Sequence, residues 1–128
     1  MQLKLMSVMV DDQRKAEKFY TEILGFVKKK DIPMGEFSFL TVVSPEGPDD
    51  VELLLEPNAH PAAQVFQKAM RESGIPLAAF AVKDTQKEYD RLAGLGVEFK
   101  EKPKVTGPTI LAVFDDTCGN YIQIFQVP

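Results

Sequence analysis

Polar and apolar positions alternate along several short stretches of this chain, and one stretch with helical spacing lies among them. Ala16, Phe19, Tyr20 and Ile23 recur at the intervals of a single helix face, after two aspartates that can cap a helix. Gly25 then supplies a helix stop. The pattern predicts this helix within a set of four strands, at residues 3–10, 26–30, 37–43 and 51–55.

The same order of elements recurs about seventy residues later. Leu5 aligns with Leu77 at an offset of 72, and Gly25 aligns with Gly96 at an offset of 71. A second helix is predicted to begin at Asp84 or at the capping box in residues 85–88. Its strands are predicted at residues 77–82, 97–100, 109–114 and 121–127. Keeping the offset of 71 aligns residues 40–43 with 111–114, 51–55 with 122–126, and Pro57 with Pro128.

The repeat predicts an α+β fold of two tandem βαβββ modules. We expect module one at about 1–57, a linking helix at about 61–73 and module two at about 75–128. Val65, Phe66, Ala69 and Met70 are the expected inner face of the linking helix. With 128 residues in all, each half is small for independent folding, so we expect the modules to share one domain over residues 1–128.

Composition excludes several classes of function. The net charge of −4, without a basic patch, argues against nucleic acid as a partner. No apolar run approaches the roughly 20 residues of a membrane span, and the start lacks the pattern of a signal peptide. With Cys118 as its one cysteine, the chain is expected to be cytoplasmic. The run of lysines at 28–30 is interpreted as a solvated strand face or edge.

Three phrases of the sequence resemble the vicinal oxygen chelate superfamily, which includes glyoxalases, bleomycin resistance proteins and extradiol dioxygenases. They are residues 10–26, residues 80–97 and the closing phrase 114–123. The resemblance spans nearly the whole chain. It implies that the paired modules form curved mixed sheets around a shared cup, and that the protein is a homodimer.

Metalloenzymes of that superfamily hold a divalent ion by one side chain from the first and last strand of each module. The positions that this resemblance assigns here are Leu5, Glu52, Leu77 and Gln123. Leucine has no donor atom and glutamine offers only an amide oxygen, so we expect no metal and no cofactor. His60 lies near the start of the linking helix, where a helix-start or surface role and a role near the cup both stay open.

Strand alternation predicts which side chains face the cup, and Glu52 is the candidate for catalysis or for binding a cationic ligand. A hydrogen bond between Glu52 and Gln123 is the alternative for that carboxylate.

The resulting hypothesis is a small-molecule-binding protein, with a metal-dependent lyase, isomerase or dioxygenase as the alternative and a structural or regulatory dimer as a third class. Whether the chain is an enzyme stays open. The predicted cup residues are Leu5, Ser7, Met9, Phe39, Glu52, Leu77, Ala79, Phe114, Gln123 and Phe125.

Overall fold

The computed structural model describes residues 1–127 and divides into two compact units. Unit 1 is Met1–Val65 and unit 2 begins at Phe66, so the boundary lies within the linking helix. Pro128, the predicted counterpart of Pro57, lies outside the described residues. The strands are β1 (Leu5–Val10), β2 (Val27–Met34), β3 (Phe37–Val43), β4 (Glu52–Pro57), β5 (Ala78–Ala81), β6 (Phe99–Thr106), β7 (Thr109–Asp115) and β8 (Tyr121–Gln126). The helices are α1 (Gln13–Lys18), which continues as a π-helical turn (Phe19–Ile23), α2 (Pro61–Glu72) and α3 (Thr85–Gly94).

Each unit contains one four-stranded mixed sheet, which confirms the predicted α+β fold with two modules. Sheet 1 has the order β1-β4-β3-β2 and sheet 2 the order β5-β8-β7-β6. In both, the first strand runs parallel to the last and the other pairs are antiparallel. Helix α1 packs on sheet 1 and α3 on sheet 2, so each sheet has one face covered by a helix and an opposite face, which we call its open face.

The helix-covered faces contain the apolar core of each unit. In unit 1, Val8, Val10, Leu40 and Leu55 are buried on this face together with Tyr20 from the π-helical turn. This arrangement agrees with the predicted apolar stripe of the first helix. The corresponding core residues of unit 2 are Leu92, Ala112, Phe114, Ile122 and Ile124.

The helix starts follow from the aspartates that precede them. The carboxylate of Asp12 accepts hydrogen bonds from the backbone N–H groups of Arg14 and Lys15, and that of Asp84 accepts from Lys87. Of the two predicted starts for α3, Asp84 is therefore the cap. The π-helical turn contains one residue more per turn than an α-helix, and it accounts for the change of offset from 72 to 71 between the helix starts and the terminal glycines.

The predicted inner face of the linking helix is wrong. Val65 is 70% exposed and Phe66 52% exposed, whereas Gln67 is buried. The side-chain amide of Gln67 donates to Asn120 Oδ1 at 2.9 Å and to the backbone carbonyl of Cys118 at 3.2 Å. A polar contact to the β7–β8 connection therefore sets the rotation of α2 in unit 2, and hydrophobic periodicity could not reveal it.

The two modules repeat at an offset of 72 in every strand except the last. β2 and β3 lie 72 residues before β6 and β7, whereas β4 lies 69 residues before β8. The connection before the last strand accounts for the difference, since it comprises residues 44–51 in unit 1 and only residues 116–120 in unit 2. The offset of 71 predicted for these strands is therefore wrong.

Candidate ligand-binding faces of the two sheets

Five of the predicted cup residues share the open face of sheet 1. Along β1 and β4, Leu5 pairs with Glu52, Ser7 with Leu54 and Met9 with Glu56. Partners directly opposite each other project to the same side of a sheet, and this side is opposite to buried Val8 and Val10. The face also includes positions of matching parity on β3 and β2, namely Phe39 and Thr41 on β3 and Lys30 and Ile32 on β2.

Glu52 lies at the centre of a small polar cluster on this face. The Thr41 hydroxyl donates to Glu52 Oε1 at 2.8 Å, and the Lys30 ammonium donates to Glu52 Oε2 at 3.1 Å. Thr41 is fully buried, and the Glu52 side chain is only 12% exposed, whereas that of Lys30 is 42% exposed. We call these three residues the Lys30–Glu52–Thr41 cluster.

The cluster keeps Glu52 ionised. The hydrogen bond from Thr41 lowers the pKa of Glu52 below its ordinary value, and the hydrogen bond and charge of Lys30 add to this effect against the opposing effect of burial. A carboxylate with a lowered pKa and donors on both oxygens is a weak proton acceptor. The geometry therefore favours an anchoring role for Glu52 over general base catalysis.

The open face of sheet 2 has different side chains. Ala79 pairs with Gln123, and Phe125 pairs with Ala81, so Ala79, Gln123 and Phe125 share this face. Leu77 lies just before β5, where its backbone N–H donates to the carbonyl of Tyr121. These four predicted cup residues thus lie on or beside one face of unit 2.

Phe114 lies on the other face of sheet 2, so its assignment to the cup is wrong. It pairs with Ile122, which is buried on the helix-covered side, and Phe114 itself is fully buried. Its ring centroid lies 5.7 Å from that of Phe99, and Phe99 in turn contacts Tyr89 of α3. A one-residue error in the alignment of β3 with β7 moves every side chain to the opposite face, which is how the assignment failed.

The corrected offset also changes the partner of Glu52 in the repeat. Glu52 pairs with Val43 in sheet 1, and Tyr121 pairs with Asp115 at the equivalent place in sheet 2. Gln123 is instead equivalent to Leu54. Glu52 and Gln123 are therefore not repeat counterparts, and the bonds that hold the Glu52 carboxylate come from Thr41 and Lys30 of its own unit.

Tyr121 has a cationic environment of its own. The guanidinium of Arg71 lies 4.5 Å from the centre of the Tyr121 ring and forms two hydrogen bonds with Asp115, at 3.2 and 3.0 Å. The hydrogen bonds to Asp115 raise the pKa of Arg71, so its charge is fixed. Lys100 Nζ lies 5.8 Å from the same ring. Glu52 of unit 1 thus has as its counterpart in unit 2 the phenol of Tyr121, whose ring lies against the guanidinium of Arg71.

Lys30, Thr41 and Arg71 are functional candidates that were not predicted from the sequence. Thr41 has the same strand parity as Phe39, so alternation could have placed it on the open face. Lys30 was hidden in a run of three lysines, and a β-bulge between Lys28 and Lys30 breaks the period of two there. No pattern in the sequence of α2 points to the contact between Arg71 and Tyr121.

The side chains at the positions that the superfamily uses for metal do not fit a metal ion. Leu5 and Leu77 are hydrocarbon, and the oxygens of Glu52 already accept hydrogen bonds from Thr41 and Lys30. Among residues 1–127, no group of three or more His, Cys, Asp or Glu side chains could hold a metal ion. His60 is exposed, and its Nδ1 accepts a hydrogen bond from the Ala62 backbone N–H at 3.0 Å, which is a helix-start role.

Comparison with known proteins assigns the family. A sequence profile of the Glyoxalase/Bleomycin resistance protein/Dioxygenase superfamily matches residues 2–124. The chain belongs to this superfamily. A relative in Bacillus subtilis (strain 168), the uncharacterized protein YurT, is 53% identical over 98% of this chain and 99% of its own length.

Two solved structures of the superfamily fold extend the comparison. UcmS2 is 31% identical, with a TM-score of 0.83 over 98% of this chain and 97% of its own. TnmS3, described as an antibiotic binding protein from Streptomyces sp. CB03234, is 29% identical, with a TM-score of 0.79 over 100% of this chain and 97% of its own. In this superfamily member, no helix within residues 1–127 is long and apolar enough to cross a membrane.

Proposed function

We propose that this superfamily member binds a small, planar organic molecule on the open face of sheet 1 and does so without a metal ion. The main support for the proposal is that exposed apolar side chains lie on the same face as the nearly buried carboxylate of Glu52, which accepts a hydrogen bond on each oxygen. Leu5, Ile32 and Phe37 are exposed there, beside the Lys30–Glu52–Thr41 cluster. Apolar surface with a few fixed polar groups is typical of small-molecule sites.

The comparisons support a binding role. TnmS3 is described as an antibiotic binding protein, and its chain is covered almost completely by the match. The hydrocarbon at positions 5 and 77 supports the absence of a metal from the binding event. Both features favour retention of a ligand over chemical conversion of it.

The proposal is tested by titrating the protein with 2-naphthamide, a neutral planar aromatic compound, before and after dialysis against a chelator. We expect binding to be unchanged by dialysis, with amide resonances of β1, β3 and β4 shifting in NMR spectra. Leu5→Ala should weaken binding about five-fold, equivalent to about 1 kcal/mol for part of a leucine side chain.

Leu95→Ala is the matched control, because Leu95 is 52% exposed, close to the 47% of Leu5, but lies at the end of α3. Its affinity for 2-naphthamide should equal that of the wild type. Absence of binding at millimolar concentration, equal weakening in both variants, or a requirement for a divalent ion would overturn the proposal.

Assembly and location form a second part of the proposal. β1 pairs with β4 on one side only and is an edge strand of sheet 1, which supports a homodimer. Cys118 is buried and not in a disulfide, in agreement with a reducing, cytoplasmic location. Sedimentation equilibrium of the wild type should give twice the chain mass of 14.3 kDa, and a mass of one chain would refute the dimer.

A further inference from the structure

The Lys30–Glu52–Thr41 cluster determines which polar group a ligand can bring to the open face of sheet 1. We infer that the bound molecule is an aromatic compound carrying an anionic oxygen, such as a carboxylate or phenolate, and that Lys30 is the residue that selects it. This inference rests on the proposed function, because it concerns the chemistry of the same face.

The hydrogen-bonding capacity of the cluster gives the first argument. An ammonium group has three N–H bonds, and Glu52 Oε2 accepts one of those of Lys30 at 3.1 Å. The carboxylate has already accepted a hydrogen bond on each oxygen and is 12% exposed, whereas the lysine side chain is 42% exposed. The part of the cluster that a ligand can reach therefore donates hydrogen bonds. A ligand must supply an acceptor.

The charge of Lys30 also disfavours the cationic ligand that was expected for Glu52. An unpaired Glu52 carboxylate would attract a cationic ligand, but the ammonium of Lys30 already lies beside it as the compensating positive charge. A cationic ligand would have to displace Lys30 or approach it against charge repulsion. The same contact fixes the direction of the lysine side chain, so Glu52 acts as its positioning residue.

The surroundings of Lys30 indicate the aromatic part of the ligand. Lys30 pairs with Thr41, and the next pair on the same face is Ile32 with Phe39. Side chains two residues apart on a strand are separated by about 7 Å. A flat ring lying on Phe39 and Ile32 would thus bring an oxygen substituent to the ammonium of Lys30.

The test compares three naphthalene compounds that differ only in the polar group at position 2: 2-naphthoate, 2-naphthamide and 2-naphthylmethylammonium. Isothermal titration of the wild type should give about ten-fold tighter binding of the carboxylate than of the amide, and weaker binding of the ammonium compound. Lys30→Met should remove the preference for the carboxylate, because it should weaken binding of 2-naphthoate by a larger factor than binding of 2-naphthamide. Lys30→Arg should retain the preference, because the charge and donors persist.

Two further variants separate a selecting role from a structural one. Lys28→Met is the matched control, since Lys28 lies on the same strand with 44% exposure but contacts Glu17 of α1, and it should leave the preference unchanged. Glu52→Gln keeps an oxygen that can accept the hydrogen bond of Lys30 but removes the competing negative charge, so it should strengthen binding of 2-naphthoate.

The outcomes distinguish this inference from the proposed function. If 2-naphthamide binds but the carboxylate has no advantage, if the ammonium compound binds most tightly, or if Lys28→Met and Lys30→Met behave alike, the inference is wrong and the binding face stands. If none of the three compounds binds, the proposed function fails as well.

Discussion

Replacing Phe114 with leucine tests the face assignment that differs most from the sequence-based expectation. Phe114 is fully buried on the helix-covered side of sheet 2, and its ring is 5.7 Å from that of Phe99. Leucine has three carbon atoms fewer, which at about 0.8 kcal/mol each gives about 2 kcal/mol. The lost contact between the rings adds about 1 kcal/mol. We therefore expect the free energy of unfolding to fall by about 3 kcal/mol.

Urea unfolding followed by circular dichroism measures this loss, and titration with 2-naphthamide measures binding. Phe125→Leu is the matched control, because Phe125 is half-buried on the open face of the same sheet. It should lower the unfolding free energy by about 1 kcal/mol. The affinity of folded Phe114→Leu protein for 2-naphthamide should equal that of the wild type. If Phe114→Leu lowers the unfolding free energy no more than Phe125→Leu does, Phe114 is not packed on the helix-covered side of sheet 2 and the reasoning is refuted.

Two other predictions concern acid stability and the β7–β8 connection. Because the pKa of Glu52 is lowered from its ordinary 4.5, its contribution to stability is present above that value and is lost as the pH falls below it. Between pH 7 and pH 3, the thermal unfolding temperature should therefore fall less in Glu52→Gln than in the wild type. Equal decreases would contradict the assigned pKa direction. Gly119 has a φ of +103°, and an added Cβ would lie 2.7 Å from Gln67 Nε2, so Gly119→Ala should lower the unfolding free energy by about 2–4 kcal/mol. Gly107→Ala is the comparison, because Gly107 has a φ of +56° and open space around it, and it should lower the unfolding free energy by about 1 kcal/mol. Similar decreases in urea unfolding of both variants would argue against the close approach of residue 119 to Gln67.

The fold was predictable from local signals that the structure uses directly. Asp12 and Asp84 cap the helices they precede, and Gly25 and Gly96 end them with φ values of 91° and 89°. Alternation separated the core-facing positions of β1 and of β4 from the other positions of each strand. It therefore placed Leu5 and Glu52 on a common face without information on how the two strands pair.

Other features depend on contacts that are distant in sequence. The offset of 71 that aligns Gly25 with Gly96 was extended to β3 and β7, whose true offset is 72, and the resulting one-residue error placed Phe114 on the wrong face. The bulge before Lys30 hid its partnership with Glu52. Val65 was predicted to be buried because helix periodicity identifies an apolar face but not whether another element packs against it.

The unequal connections before the last strands have a practical consequence for engineering. Residues 116–120 are held by the buried Asp116 carboxylate, which accepts hydrogen bonds from the backbone of Cys118 and Asn120, so this turn has a fixed length. Residues 45–50 in the longer connection of unit 1 are all exposed. A fluorophore attached to an exposed side chain in this segment would report ligand binding from a position outside the paired strands of sheet 1.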